Sequence, residues 1–205
     1  MKPKHLAPFK RPTPTVEQLE KEIDREKYKK RYKRVLRSSI YTLIVVAAVA
    51  VLVATIWVPV IQIYGSSMSP TLKEGDIVAT IKTDEFETGD LICFYIGNKL
   101  LVKRYIAGPG QTVNIDEQGN VYVDDTLLNE PYLTAKDLGD CNIELPYQVP
   151  EDRIFCLGDQ RKTSLDSRHT AVGCISDDQI VGKIFFRVWP LGDMGFIDSQ
   201  DPIED

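Results

Sequence analysis

Three segments of this chain carry residue types that can do acid, base or nucleophilic chemistry. The first is Gly65-Ser-Ser-Met-Ser-Pro-Thr-Leu72, a serine-rich turn. A serine hydroxyl becomes a competent nucleophile only when a base takes its proton. Histidine is the usual base, and the sequence offers His5 and His169. His5 sits in a basic N-terminal tail. His169 follows Asp166-Ser-Arg168 and could complete a Ser/His/Asp set, although a lone histidine at a strand or loop edge is more often a surface residue. Lysine is the other base for serine, provided burial lowers its pKa from about 10.4 toward neutrality. The second segment, Leu100 to Ile106, contains such a lysine: strand alternation puts Leu101, Lys103 and Tyr105 on one face and Val102, Arg104 and Ile106 on the other. Lowering a lysine by about three units requires roughly 4 kcal/mol of destabilisation of its charged form. The strand pattern alone fits a desolvated and a solvated Lys103 equally. The third segment, Phe155 to Arg168, is an apolar strand entering a loop in which Asp159, Arg161, Asp166 and Arg168 could pair and fix the backbone. A solvated surface loop fits the same composition.

These segments need a scaffold, and 205 residues leave room for one ordinary domain plus an appendage. Ser38 to Leu72 contains no charged residue, and Ile40 to Trp57 is almost wholly apolar, long enough as a helix to cross a hydrocarbon core of about 30 Å. A cleaved secretion signal fits less well, because its apolar core runs to about 7–15 residues behind a short basic region, whereas here the basic region extends to Arg37. Residues 1–37 carry 13 Lys/Arg against 5 Asp/Glu, a net of +8, and the remainder carries 12 against 25, a net of −13. Basic residues beside a span are retained on the cytoplasmic side, so the C-terminal domain is expected outside the cell membrane. The same position makes membrane lipid, and not nucleic acid, the expected partner of the basic cluster. Ser67 lies ten residues past Trp57, which keeps it within roughly 35 Å of the span's end even in an extended chain.

Pro3, Pro8, Pro12 and Pro14 mark a disordered N-terminal tail. Val16 to Arg37 reads as a solvated helix, with Glu17/Lys21 and Glu26/Lys30 spaced for pairing. Beyond Pro59 the pattern predicts strands over 76–81, 90–96, 100–106, 112–115, 120–123, 153–157 and 182–189, with turns at Glu74-Gly75, Thr88-Gly89, Gly108-Pro109-Gly110 and Gln118-Gly119. The expected fold class is mainly β: an antiparallel, barrel-like catalytic sheet domain behind one N-terminal transmembrane helix. The expected division is a basic cytoplasmic tail at 1–37, an anchor at 38–60, a β-rich domain at 61–197 with an irregular excursion at 124–150, and an acidic tail at 198–205. Cys93, Cys141, Cys156 and Cys174 show no CxxC spacing, so they read as buried apolar residues and imply no metal; a domain outside the cytoplasm also allows a disulfide, and no bridge is assigned.

In order, Gly65–Leu72, Gly89-Asp90, Val102-Lys-Arg-Tyr-Ile-Ala-Gly-Pro-Gly110, Gly119-Asn-Val-Tyr-Val123, Glu130-Pro-Tyr132, Val149-Pro-Glu151, Leu157-Gly-Asp-Gln-Arg161, Ser164-Leu-Asp-Ser-Arg168 and Gly182-Lys183 through Trp189-Pro-Leu191 resemble the type I signal peptidases, particularly the short Gram-positive forms. The resemblance covers Ser38 to about Ile197. It implies a Ser/Lys dyad: the Ser before Met is the nucleophile, Ser67 and not Ser66 or Ser69, and the Lys before Arg is the general base, Lys103. It further implies that Ser164 orients the lysine amine, that Asp166 and Arg168 form a supporting ion pair, and that Asp159 and Arg104 are structural. Ile63, Tyr64, Met68, Leu72, Leu101 and Val102 fall where the family lines its pockets for small side chains. Two positions depart from the family pattern: Gln160 replaces an Asn, and Gly65 replaces a Ser that in some members donates to the oxyanion.

The activity so implied is removal of signal peptides from translocated preproteins through an acyl-enzyme, with no metal or cofactor. Three other readings share parts of the pattern. A specialised maturase for pilin-like or other dedicated exported substrates would use the same chemistry. A self-cleaving Ser/Lys repressor would need a cytosolic DNA-binding region, against which the apolar span argues. A non-catalytic anchored binding module would leave Lys103 solvated and charged.

Overall fold

The computed structural model describes residues 15–197, with side chains given outside 53–57. The expected proline-rich tail and the acidic tail from 198 onward lie outside the described residues.

One helix, α1 (Val16–Trp57), joins the charged and apolar N-terminal segments without a break. Its first half is held by solvated pairs, Glu17 with Lys21 at 3.2 Å and Glu26 with Lys29 at 3.1 Å, the latter one residue short of the spacing read from the sequence. Its apolar stretch is long enough to cross a membrane, and none of that stretch is buried by protein. By internal contacts the helix as far as Val53 belongs to one unit, and the chain from Ala54 onward, with the helix's last residues, forms a second.

The second unit is antiparallel β-structure. Its strands are β1 (Val60–Gln62), β2 (Ile77–Ile81), β3 (Leu91–Ile96), β4 (Lys99–Ala107), β5 (Thr112–Ile115), β6 (Val121–Val123), β7 (Thr126–Leu127), β8 (Tyr147–Gln148), β9 (Arg153–Leu157), β10 (Ile175–Ser176), β11 (Ile180–Trp189) and β12 (Gly195–Phe196). The main sheet runs β1-β2-β11-β3-β4-β9-β10, with β12 added beside β11. Among the described residues its two ends do not join, so it is an open sheet. A smaller sheet runs β7-β6-β5-β8. Two of its strands, β7 and β8, come from the stretch read as an irregular excursion; the residues between them remain without regular structure.

Alternation sorts the strands' side chains between cores. In β3, Leu91 and Cys93 join Ile63, Met68, Leu72, Val78 and Ile184, whereas Ile92 and Phe94 join Ile154, Cys156 and Ile175. The facing strand β4 follows the same rule, with Leu100 and Val102 packed on the first group and Leu101 and Tyr105 on the second. The β3/β4 hairpin turns through Gly97, whose φ of +57° suits a tight hairpin turn. Its register sets Ile92 opposite Lys103 and Leu91 opposite Arg104. A third core, including Ile106, Val113, Val121, Val149, Phe155 and Leu157, draws on both sheets.

Candidate active site

β1 leads into the serine-rich turn. Backbone bonds from Ile63 N to Asp76 O (2.8 Å) and from Gly75 N to Ile63 O (3.0 Å) close its base. Gly65 has a φ of +82°, a conformation in which an L side chain is strained, and the space a Cβ would enter is open. Bonds from Ser69 N to Ser66 O and from Leu72 N to Met68 O wind the following residues into a tight turn. Met68 and Leu72 anchor it, at 2% and 0% exposure. Ser66 is exposed, and Ser67 is half-buried.

Lys103 is 2% exposed. It shares its face of β4 with Leu101 and Tyr105, which pack on the Ile92/Phe94 core. Burial lowers its pKa from the ordinary lysine value; the charges of Asp166 and Asp159 oppose that shift, and Arg168 reinforces it. Among the described residues no hydrogen bond joins Lys103 to Ser67 or to Ser164, and Ser164 Oγ is buried without a hydrogen-bond partner. Such contacts are commonly long in substrate-free enzymes and tighten when substrate binds.

Of the two readings open for the loop after β9, the structure matches the paired one: Asp159, Arg161, Ser164, Asp166, Ser167 and Arg168 are buried, while Lys162, Thr163 and Leu165 are exposed. Among the described residues one of its ion pairs is internal to the loop: Asp166 accepts Arg168 Nε and Nη2, both at 2.8 Å. Asp159 instead accepts Arg104 Nε at 2.8 Å and Nη2 at 2.6 Å, and Thr71 Oγ1 at 2.5 Å. Arg161 pairs with Glu130. Each of these six charged side chains is at most 1% exposed. Paired, fully hydrogen-bonded charges offset part of their desolvation; removing one partner of such a pair costs about 3–5 kcal/mol.

This network ties the turn, the lysine strand and the loop together. Gln160 N donates to Ser67 O at 3.0 Å, and Gly158 N donates to Asp166 Oδ2 at 2.9 Å. Thr71 O accepts Arg187 Nη2 at 2.5 Å, and Arg187 lies 3.3 Å from Asp76. Asp90 pairs with Lys183 at 2.7 Å, which joins the Gly89-Asp90 and Gly182-Lys183 motifs across neighbouring strands β3 and β11.

A cleft of about 610 Å³ opens beside the turn, lined by residues 61–65, residues 99–102, Ser67 and Met68. Five of the six expected pocket residues are there: Ile63, Tyr64, Met68, Leu101 and Val102. Leu72 is not among its lining; with no exposed surface it belongs to the core beneath. His169 is not among it either, and its ring faces Asn142 and the Ala171 N–H. Sequence reasoning did not single out Gly158. A Cβ there would stand 2.0 Å from Ser164 Oγ and 2.7 Å from Ser67 O, so only glycine lets loop and turn meet. Thr71 and Arg187 were also missed; their polar partners lie 88 and 116 residues away in sequence.

A half-buried serine on an apolar cleft, tied by its backbone to a loop whose charges surround a desolvated lysine, can support acyl transfer with lysine as the base. A family model described as "Signal peptidase, peptidase S26" matches residues 36–189. Signal peptidase IB of Staphylococcus aureus strain MRSA252 is 36% identical over 155 residues, covering 65% of this chain and 79% of that protein. Signal peptidase I U of Bacillus subtilis strain 168 is 29% identical over 177 residues, covering 80% of this chain and 94% of that one. A crystal structure of a signal peptidase I from Enterococcus faecalis V583 is 24% identical, with a TM-score of 0.41, covering 50% of this chain and 98% of that chain.

Proposed function

The chain belongs to the peptidase S26 family of signal peptidases, a serine endopeptidase acting on signal peptides, and we propose that Ser67 is its nucleophile and Lys103 its general base. Lys103 Nζ, whose charged form burial disfavours, takes the proton from Ser67 Oγ as that oxygen attacks the scissile carbonyl. The Ser67 N–H stands ready as one donor to the oxyanion, an interaction worth about 2.7–4 kcal/mol per donor. Collapse of the tetrahedral intermediate releases the amine, protonated by Lys103, and leaves an ester on Ser67. Lys103 then takes a proton from water, which hydrolyses the ester. Ser164, Asp166, Arg168, Asp159 and Arg104 hold this geometry.

Substrates are preproteins whose signal peptide enters the cleft in extended form. β1 is the terminal strand of its sheet, so its free edge can pair with a peptide. The N-terminus lies on the cytoplasmic side, the catalytic unit outside, and lipid is a contact of the chain. Supporting this are the lysine and arginine excess before the span and the exposed apolar side chains of Trp189, Leu191, Met194 and Phe196.

The observation that carries the reading is the burial of Lys103 beside the loop that bonds the Ser67 backbone. The test is cleavage of a preprotein by the full chain reconstituted in vesicles. Wild type cleaves, and Ser67→Ala and Lys103→Ala do not; undiminished cleavage by either variant would remove the dyad.

A further inference from the structure

We propose that Glu130 is a positioning residue for this cleavage, acting through Arg161 on the peptide of Gly158. The proposal rests on the Ser67/Lys103 reading and gives the irregular stretch between β7 and β8 a part in catalysis.

Glu130 is 6% exposed as a whole residue and its side chain is fully buried, although it lies in a segment with no regular structure of its own. Its carboxylate takes both terminal nitrogens of Arg161, Nη1 to Oε2 at 3.3 Å and Nη2 to Oε1. That fork leaves Arg161 Nε directed at Gly158 O, to which it donates at 3.1 Å. Gly158 is the contact point of the site: the position of its missing Cβ is bounded by Ser164 Oγ and by Ser67 O. Its N–H is held by Asp166 Oδ2. Asp166 and Arg161 therefore grip the two sides of one residue, and Glu130 fixes the second grip.

Neighbouring residues reinforce this. Tyr132 donates to Glu130 Oε1 at 3.1 Å, and its ring lies 3.6 Å beneath the Arg104 guanidinium. Leu138 O accepts Arg168 Nη1 at 2.6 Å. Each of the three buried arginines around the loop thus has a partner between residues 130 and 138. Bulk stability does not require such an arrangement, because apolar side chains of similar volume commonly replace a buried ion pair without loss. A planar guanidinium held at both ends supplies direction, which a charge-free core would not.

The test measures kcat and KM of the full chain in detergent micelles on a signal-peptide-bearing preprotein, with rates referred to folded enzyme by circular dichroism. The variants are Ser67→Ala, Glu130→Gln/Arg161→Gln and Arg161→Lys. The double variant removes both charges together and leaves neither one buried alone. Arg161→Lys keeps the ion pair but lacks the Nε donor. Both are expected to lose about 10- to 100-fold in kcat, the scale of a misplacement approaching 1 Å. KM is expected to stay within about twofold, because residues 61–65 and 99–102 of the cleft lie off this loop. If the double variant does not fold, Arg161→Lys carries the test. Wild-type kcat in either folded variant, or a change confined to KM, overturns the proposal while Ser67→Ala remains inactive. Cleavage by Ser67→Ala at the wild-type rate overturns the dyad and this inference with it.

Discussion

Gly158→Ala adds one methyl group where the nucleophile's backbone meets the Ser164 side chain. The new Cβ would lie 2.0 Å from Ser164 Oγ, 2.5 Å from Ser164 Cβ and 2.7 Å from Ser67 O. Ordinary contact begins at 3.4 Å, so the Ser67 carbonyl and Gly158 must separate by about 0.7 Å. Rotation of Ser164 relieves only part of the conflict, because its Cβ is also too close. The Ser67 carbonyl is held by the Gln160 N–H, so the displacement passes into the turn that carries the hydroxyl. A shift of this size costs up to about 10²-fold in rate, and overpacking costs about 1–3 kcal/mol of stability. Gly158 does not have a positive φ, so the effect is steric and not conformational. Steady-state kinetics and thermal melts are compared with Gly195→Ala, where a Cβ meets nothing within 4 Å. We expect kcat to fall at least tenfold with little change in KM, and Gly195→Ala to behave as wild type. Full kcat in Gly158→Ala would refute the claimed contact between turn and loop.

Lys103→Met should abolish activity yet leave the protein at least as stable near neutral pH. Because the folded-state pKa of Lys103 is lowered, the unfolded chain holds more protons between the folded value and the ordinary 10.5. Wild-type stability therefore rises with pH through that window. Urea melts at several pH values should show the variant's advantage narrowing as pH rises; a constant or widening gap would contradict the burial argument. Arg104→Met leaves Asp159 buried without its guanidinium, and we expect a loss of about 3–5 kcal/mol in urea unfolding; a loss below 1 kcal/mol would show that the pair is dispensable. For the cysteines, burial raises the thiols of Cys156 and Cys174 and pushes Cys93 up to about 12, while Cys141 is half-buried. A thiol reagent should modify Cys141 alone in the native protein and all four cysteines after unfolding. Fast native labelling of a second cysteine would contradict the packing.

The longer strands were legible because their alternating or continuous apolar runs persist over several residues; β3, β4, β9 and β11 lie within two residues of their expected bounds. β7, β8, β10 and β12 are two residues each, too short to show a period of two, and they exist because neighbouring strands offer open edges. The candidate site was legible as far as it is local. Ser67 and Lys103 could be named from motifs, and the face of Lys103 from alternation. Which carboxylate each arginine would meet could not be read, because Arg104 reaches Asp159 55 residues away and Arg161 reaches Glu130 31 residues back. The place of Leu72 was not legible either: an apolar residue in a turn can face a cleft or the core, and only tertiary packing, which here puts it beneath the turn, decides.

The most direct measurement follows the protonation of Lys103 itself, by carbon NMR of labelled lysine in Ser67→Ala, beside the pH dependence of kcat/KM in the wild type. If Lys103 is the base, its midpoint lies below the ordinary lysine value and coincides with the acid limb of the wild-type profile. A midpoint near 10.5, with activity rising at a pH where Lys103 remains charged, would show that another group takes the serine proton.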